Sequence, residues 1–174
     1  MRRHSILPLC VASLLLSSAQ GAVPETAAST EPPEPAVQAA AAPVFSPGLD
    51  DLMTMLVTPR HAKLYYAGTR RNWELAAFQA RELRSSFRRI GNAIPQYLDR
   101  SVPETITTLL EPKLKATEAA IAAADTAQFN RAYADLTAAC NACHVYLEHP
   151  FLVVKAPEAG APNAYGTQEF KPAP

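Results

Sequence analysis

Four times between Leu49 and Leu147, apolar residues recur at spacings of three and four, and no period of two competes with them. That spacing is one face of a helix, so the chain is expected to fold from helices that bury one stripe each. The first stripe is Leu49, Leu52, Met53, Leu56, Val57 and Leu64, with Asp50 and Asp51 in the first turn, where the helix dipole favours acids. Pro59, after Thr58, either kinks this helix or restarts it, and Ala67-Gly68-Thr69 marks its stop. The second stripe runs Trp73, Ala76, Ala77, Ala80, Leu83, Phe87 and Ile90 and ends over Gly91 to Pro95. Its other face carries Arg81, Arg84, Arg88 and Arg89. A third helix is expected after Ser101, with Pro103 in its first turn and Ile106, Leu109, Leu110, Leu114, Thr117 and Ile121 inward. Pro112 lies inside this pattern and predicts a kink. Asp125, followed three residues later by Gln128, predicts a capping box for the fourth helix. Phe129, Tyr133, Leu136, Cys140, Cys143 and Leu147 form its stripe, and His149-Pro150 ends it. Short connections between four amphipathic helices give an all-α antiparallel up-down-up-down four-helix bundle. No internal repeat is visible in the residues.

The chemistry sits late in the fourth helix, in Cys140-Asn141-Ala142-Cys143-His144. Two thiols three residues apart share one turn and can each add across a vinyl group of a haem, and the next histidine is then carried under the porphyrin as an iron ligand. A disulfide closing so short a loop inside a helix would be strained and would cross-link almost nothing. Two readings without haem compete. A thiol–disulfide site belongs at a helix N-terminus, where the dipole lowers the thiol pKa, and this pair lies at the other end. A zinc site would have only three obvious ligands.

The ends of the chain set its context. Arg2 and Arg3, the short apolar run from Ile6 to Leu16, and Ala19-Gln20-Gly21 read as a secretory signal over 1–21, implying export to the periplasm. Bulky Leu9 before Cys10 argues against a lipid anchor, and cleavage would leave only Cys140 and Cys143. Residues 22–47, rich in Ala, Pro, Glu and Ser, read as a disordered spacer. The domain then covers 48–150 and an irregular tail 151–174, in which Phe151 to Val154 and Phe170 are the residues able to pin it. A formal net charge of zero gives no global drive toward nucleic acid. There is no Ser-His-Asp grouping, catalytic carboxylate pair or glycine-rich phosphate loop, so an electron carrier is expected rather than an enzyme.

In an up-down bundle the start of helix one lies beside the end of helix four. Met53 and His144 are each about five residues from those ends, which puts them at matching heights at about 1.5 Å per residue. Met53 is therefore the first choice for the second axial position on the iron. Met55 lies about 200° round the helix from Met53 and should point outward. His61 lies about 12 Å further along the axis and is the alternative distal ligand if Pro59 kinks the helix. The plain alternatives are a core methionine and a boundary histidine bonded to a carboxylate or a backbone group. Arg88 and Arg89, at the end of helix two, are the cationic candidates for the haem propionates. Trp73 and Phe78 are expected in the core, and His149 at a helix end favoured by the dipole.

With Cys140 to His144 late in helix four and Met53 early in helix one, the stretch 46–150 resembles the cytochrome c′ group of class II c-type cytochromes. The resemblance implies thioether bonds at Cys140 and Cys143, proximal ligation by His144, and one covalent haem c with its iron. It also implies a distal site that is either open, binding small gases such as nitric oxide, or filled by methionine, giving an electron carrier that exchanges with periplasmic redox partner proteins. Met53 occupies a position like that methionine. Bundles of this kind can form a homodimer through helices one and two, though no exposed stripe here proves it. Pro59, the Pro-rich spacer and the long tail depart from the pattern and leave the distal ligand open.

Overall fold

The computed structural model describes residues 45–158 and 163–173. The signal sequence, Cys10 and nearly all of the expected spacer lie outside the described residues. Helix α1 covers 49–69, α2 is Trp73–Ala93, α3 covers 102–122 and α4 is Thr126–Tyr146. A two-residue hairpin, β1 Gln96–Tyr97 antiparallel to β2 Arg100–Ser101, joins α2 to α3. Among the described residues the fold is all-α apart from this hairpin, which no alternating pattern announces. Each helix packs on the next, and α1 also packs on α4. None of the described helices is long and apolar enough to cross a membrane.

Both internal prolines sit in the first turn of a segment that restarts after a π turn, which is one of the two outcomes expected of Pro59. Helix α1 is α-helical over Leu49–Leu52, opens into a π turn over Met53–Val57, and resumes over Thr58–Thr69. Proline has no N–H to donate and crowds the carbonyl four residues back. The widened turn absorbs both problems by letting the Thr58 N–H reach the Met53 carbonyl, five residues back. The Leu56 carbonyl is taken by Arg60 Nη1 at 2.6 Å, with Ser86 Oγ of α2 at 3.5 Å. Helix α3 repeats the device: Val102–Thr105, a π turn over Ile106–Leu110, then Glu111–Ala122 with Pro112 in the resumed first turn.

That recurrence belongs to a larger one. The helix bounds 49–69 and 73–93 recur 53 residues later as 102–122 and 126–146. The turns match as well. Arg71 and Ala124 both take left-handed backbone, at φ 59° and 51°. Asn72 and Asp125 both cap the next helix, accepting from the N–H of Leu75 and of Gln128 at 3.1 and 2.9 Å. Residues 49–146 thus form two copies of one helical hairpin, in which Pro59 and Pro112 correspond although most other residues differ.

The core is built from the anticipated stripes, with Leu64, Leu83, Ile90, Leu114, Phe129 and Leu136 all fully buried. Two expectations are corrected. Phe78 points outward, with the Arg81 guanidinium 6.0 Å from its ring centre, because it lies off the stripe of α2. Phe151 does not pin the tail and is exposed, whereas Phe170 is buried against Tyr66, 5.4 Å between ring centres. Asn72 Nδ2 holds the same end of the tail by donating to the Lys171 carbonyl at 2.9 Å.

Candidate functional site

Cys140 and Cys143 lie near the end of α4 as free thiols, both buried. Burial disfavours the thiolate and pushes Cys140 up to about 12, with the neighbouring Cys143 adding to the effect, and Cys143 up to about 11. A thiol–disulfide exchange site needs the opposite, an accessible thiol with a lowered pKa. Among the described residues, no three His, Cys, Asp or Glu side chains gather closely enough to hold a metal ion by themselves.

His144 is set up differently from the thiols. Its Nδ1 lies 2.7 Å from the backbone carbonyl of Leu152. A carbonyl only accepts, so Nδ1 carries the proton and donates, and in the neutral ring Nε2 keeps its lone pair. None of the described residues makes a hydrogen bond to Nε2. An imidazole that ligates a metal has this arrangement, with one nitrogen donating to an oxygen while the other faces the metal. With two cysteines on the preceding turn, the donor set fits a covalent haem.

The Leu152 carbonyl is there because the tail turns back on α4. The turn at 147–150 is tied down by the hairpin. Tyr97 Oη lies 3.1 Å from His149 Nε2, and His149 Nδ1 donates to the Leu147 carbonyl at 2.7 Å. Arg100 reaches Glu148 at 3.1 Å and lies over the Tyr146 ring, 4.6 Å from its centre. Beyond the turn, Asn141 grips the tail twice: Nδ2 donates to the Val154 carbonyl at 2.9 Å, and Oδ1 accepts from the Val154 N–H at 2.7 Å. The stretch Phe151 to Val154 was expected to pin the tail, and Val154 does so, but the part played by Asn141 and by the Leu152 carbonyl was not foreseen. An asparagine between two cysteines has no periodic signature, and a backbone carbonyl has no signature at all.

Met53 begins the π turn of α1, half-buried and packed against the core. Met55 is exposed, as its angle on the helix requires. His61 is buried and bonded to side chains, correcting the expectation of a boundary histidine held by a carboxylate or backbone group. Thr137 Oγ1 donates to the Tyr133 carbonyl at 2.9 Å, so it accepts from His61 Nε2 at 3.0 Å. Nδ1 then carries the lone pair, 3.0 Å from Tyr133 Oη, which is also 3.0 Å from the carbonyl of His61 itself. Burial lowers the His61 pKa to about 4, so the ring is neutral at pH 7. Tyr133 was legible as a stripe residue, and its buried hydroxyl implied a partner. Nothing in the sequence named His61 as that partner.

Arg88 and Arg89 are exposed in the last turns of α2, with Arg88 donating to Ser85 Oγ at 3.3 Å. Arg84 is not part of a free basic face. It pairs with Glu118, with Nη2 at 2.7 Å from the carboxylate, and with Glu111, tying α2 to α3. These carboxylates hold its guanidinium pKa above the ordinary value.

Comparison with family models, with curated proteins and with solved structures returns no match.

Proposed function

We propose that this chain is a periplasmic c-type cytochrome of the class II kind, a one-electron carrier and not an enzyme. Its four helices are read as an antiparallel up-down-up-down bundle. One haem c is joined by thioethers to Cys140 and Cys143, and His144 Nε2 is the proximal ligand. The observation that carries the reading is the Nδ1 donation of His144 to the Leu152 carbonyl, which fixes the tautomer a metal needs directly after the cysteine pair. The haem supplies a couple between ferric and ferrous iron, and the protein tunes it through the axial ligands and the exclusion of water. Arg88 and Arg89 are the proposed partners of the propionates, since the connection leaving α2 reaches the same end of α4 through Tyr97 and His149.

Met53 is the proposed distal ligand, and the duplicated layout supports it. Ile106 is the counterpart of Met53, Gly91 is the counterpart of His144, and the Ile106 side chain lies 3.7 Å from where a Cβ on Gly91 would stand. His61 is disfavoured, because both of its ring nitrogens already have partners. A second reading, an open distal face that binds a small gas such as nitric oxide, is favoured by one observation. The π turn carrying Met53 packs chiefly on α2 rather than on α4. The absorption spectrum of the ferric, haem-loaded protein separates the two. Low-spin iron with a long-wavelength thioether–iron band, lost in Met53→Ala, supports the electron carrier, and a high-spin spectrum with rapid carbon monoxide uptake after reduction supports the open site.

A further inference from the structure

We propose that Asn141 is a positioning residue for the iron-binding imidazole, acting through the C-terminal tail; this rests on the reading of His144 as a haem ligand. Asn141 does not touch His144. Its carboxamide instead offers one donor and one acceptor, and both are spent on a single residue, Val154, at 2.9 and 2.7 Å. A side chain bonded to both the carbonyl and the N–H of one residue fixes that residue in position and direction, as a neighbouring strand would. Val154 is thereby held beside the turn of α4 that carries the cysteines. Two residues back along the extended segment, the Leu152 carbonyl comes to lie 2.7 Å from His144 Nδ1.

The other end of this short segment is fixed independently. The Leu152 N–H donates to the His149 carbonyl at 3.0 Å, and His149 is held by Tyr97 and by the Leu147 carbonyl. Between these ends Phe151, Leu152 and Val153 are exposed, with the Phe151 ring 5.5 Å from that of His149, and the Val154 side chain is half-buried against the core. The polar bonds at the two ends set the direction of the backbone between them, and Asn141 makes those at the far end. Without them the carbonyl is free to leave, and water would replace it as the partner of Nδ1. The imidazole would then lose its fixed tautomer and part of its basicity toward a metal. The asparagine inside the attachment motif thus joins a segment outside the helix to the ligand's electronic state.

The test uses Asn141→Ala and, because that change lies on α4, also Val154→Pro, which deletes the donor N–H from the tail alone. Two measurements are made on each variant and on the wild type. In the haem-free chain, nitrogen chemical shifts of His144 report the tautomer. The wild type is expected to hold the proton on Nδ1 and both variants to move it largely to Nε2. In the haem-loaded protein, loss of the Nδ1 bond makes Nε2 a weaker donor to ferric iron. The ferric–ferrous equilibrium should shift toward ferrous by about threefold or more, roughly 28 mV at 59 mV per tenfold for one electron. A wild-type His144 protonated on Nε2, or variants that match the wild type in tautomer and potential, overturns the proposal. Failure of the wild type to take up haem overturns the cytochrome reading instead, and the tautomer measurement still decides whether Asn141 orients the ring.

Discussion

His61 shows how one buried side chain couples the fold to pH. Its ring is neutral in the folded protein, with a pKa lowered from 6.5 to about 4 by burial. Between these two values the unfolded chain binds the proton that the folded chain refuses, so stability falls as pH drops through this window. At 1.36 kcal/mol per pKa unit the loss is about 3 kcal/mol, complete near pH 4 and absent above about pH 7. Urea unfolding at pH 7 and pH 4.5 should show this drop in the wild type, and His61→Leu should remove most of it. An unchanged pH slope in that variant would place the titration elsewhere. In the variant, Thr137 keeps the Tyr133 carbonyl and the Tyr133 hydroxyl keeps the carbonyl of residue 61, so neither buried hydroxyl is orphaned. The sequence marked His61 for a different role, as an alternative ligand. Its burial was not legible because Thr137 and Tyr133, its partners, are distant in the chain and their approach depends on how α1 meets α4.

Among the elements, α1 and α4 make a close contact at Gly68. The ring of Phe129 occupies the space where a Cβ on Gly68 would stand. That ring cannot retreat, being fully buried between Trp73 and Tyr133, at 6.0 and 5.9 Å between ring centres. Gly68→Ala should therefore destabilise the fold by about 2–3 kcal/mol through overpacking. Combining it with Phe129→Leu should recover part of that loss, and strict additivity of the two changes would contradict the contact. The sequence showed Gly68 only as a stop signal, and its steric reason lies in another helix. The helices themselves were legible because their stripes set their faces, and Ser101 and Asp125 marked two of their starts, whereas the cap at Asn72 emerged only in the structure. The prolines were half legible: Pro59 and Pro112 announced a disturbance, but a π turn and a kink have the same cause in the sequence.

Across the whole molecule, the two hairpins share one backbone plan, and the redox chemistry proposed here occupies one of them. Where α4 has Cys140, Cys143 and His144, α2 has Phe87, Ile90 and Gly91, an apolar set with no ligand among them. The tail also has no counterpart between the hairpins. It returns along α4, gives its Leu152 carbonyl to His144, and ends by burying Phe170 against α1. Phe170→Ala should cost about 3–4 kcal/mol, measured as a lower urea midpoint, because the ring is fully buried. A loss below about 1 kcal/mol would mean the tail contributes little to the fold. The sequence picked out Phe170 as a possible pin but gave no sign of the Asn141 clamp, which depends on backbone atoms. The claim built on Cys140 to His144 is tested most directly by the intact mass of the protein made in cells equipped to attach haem. The expected result is a mass increase of one haem that survives denaturation and leaves neither Cys140 nor Cys143 open to alkylation. A polypeptide mass without haem, with both thiols alkylated after unfolding, would contradict it.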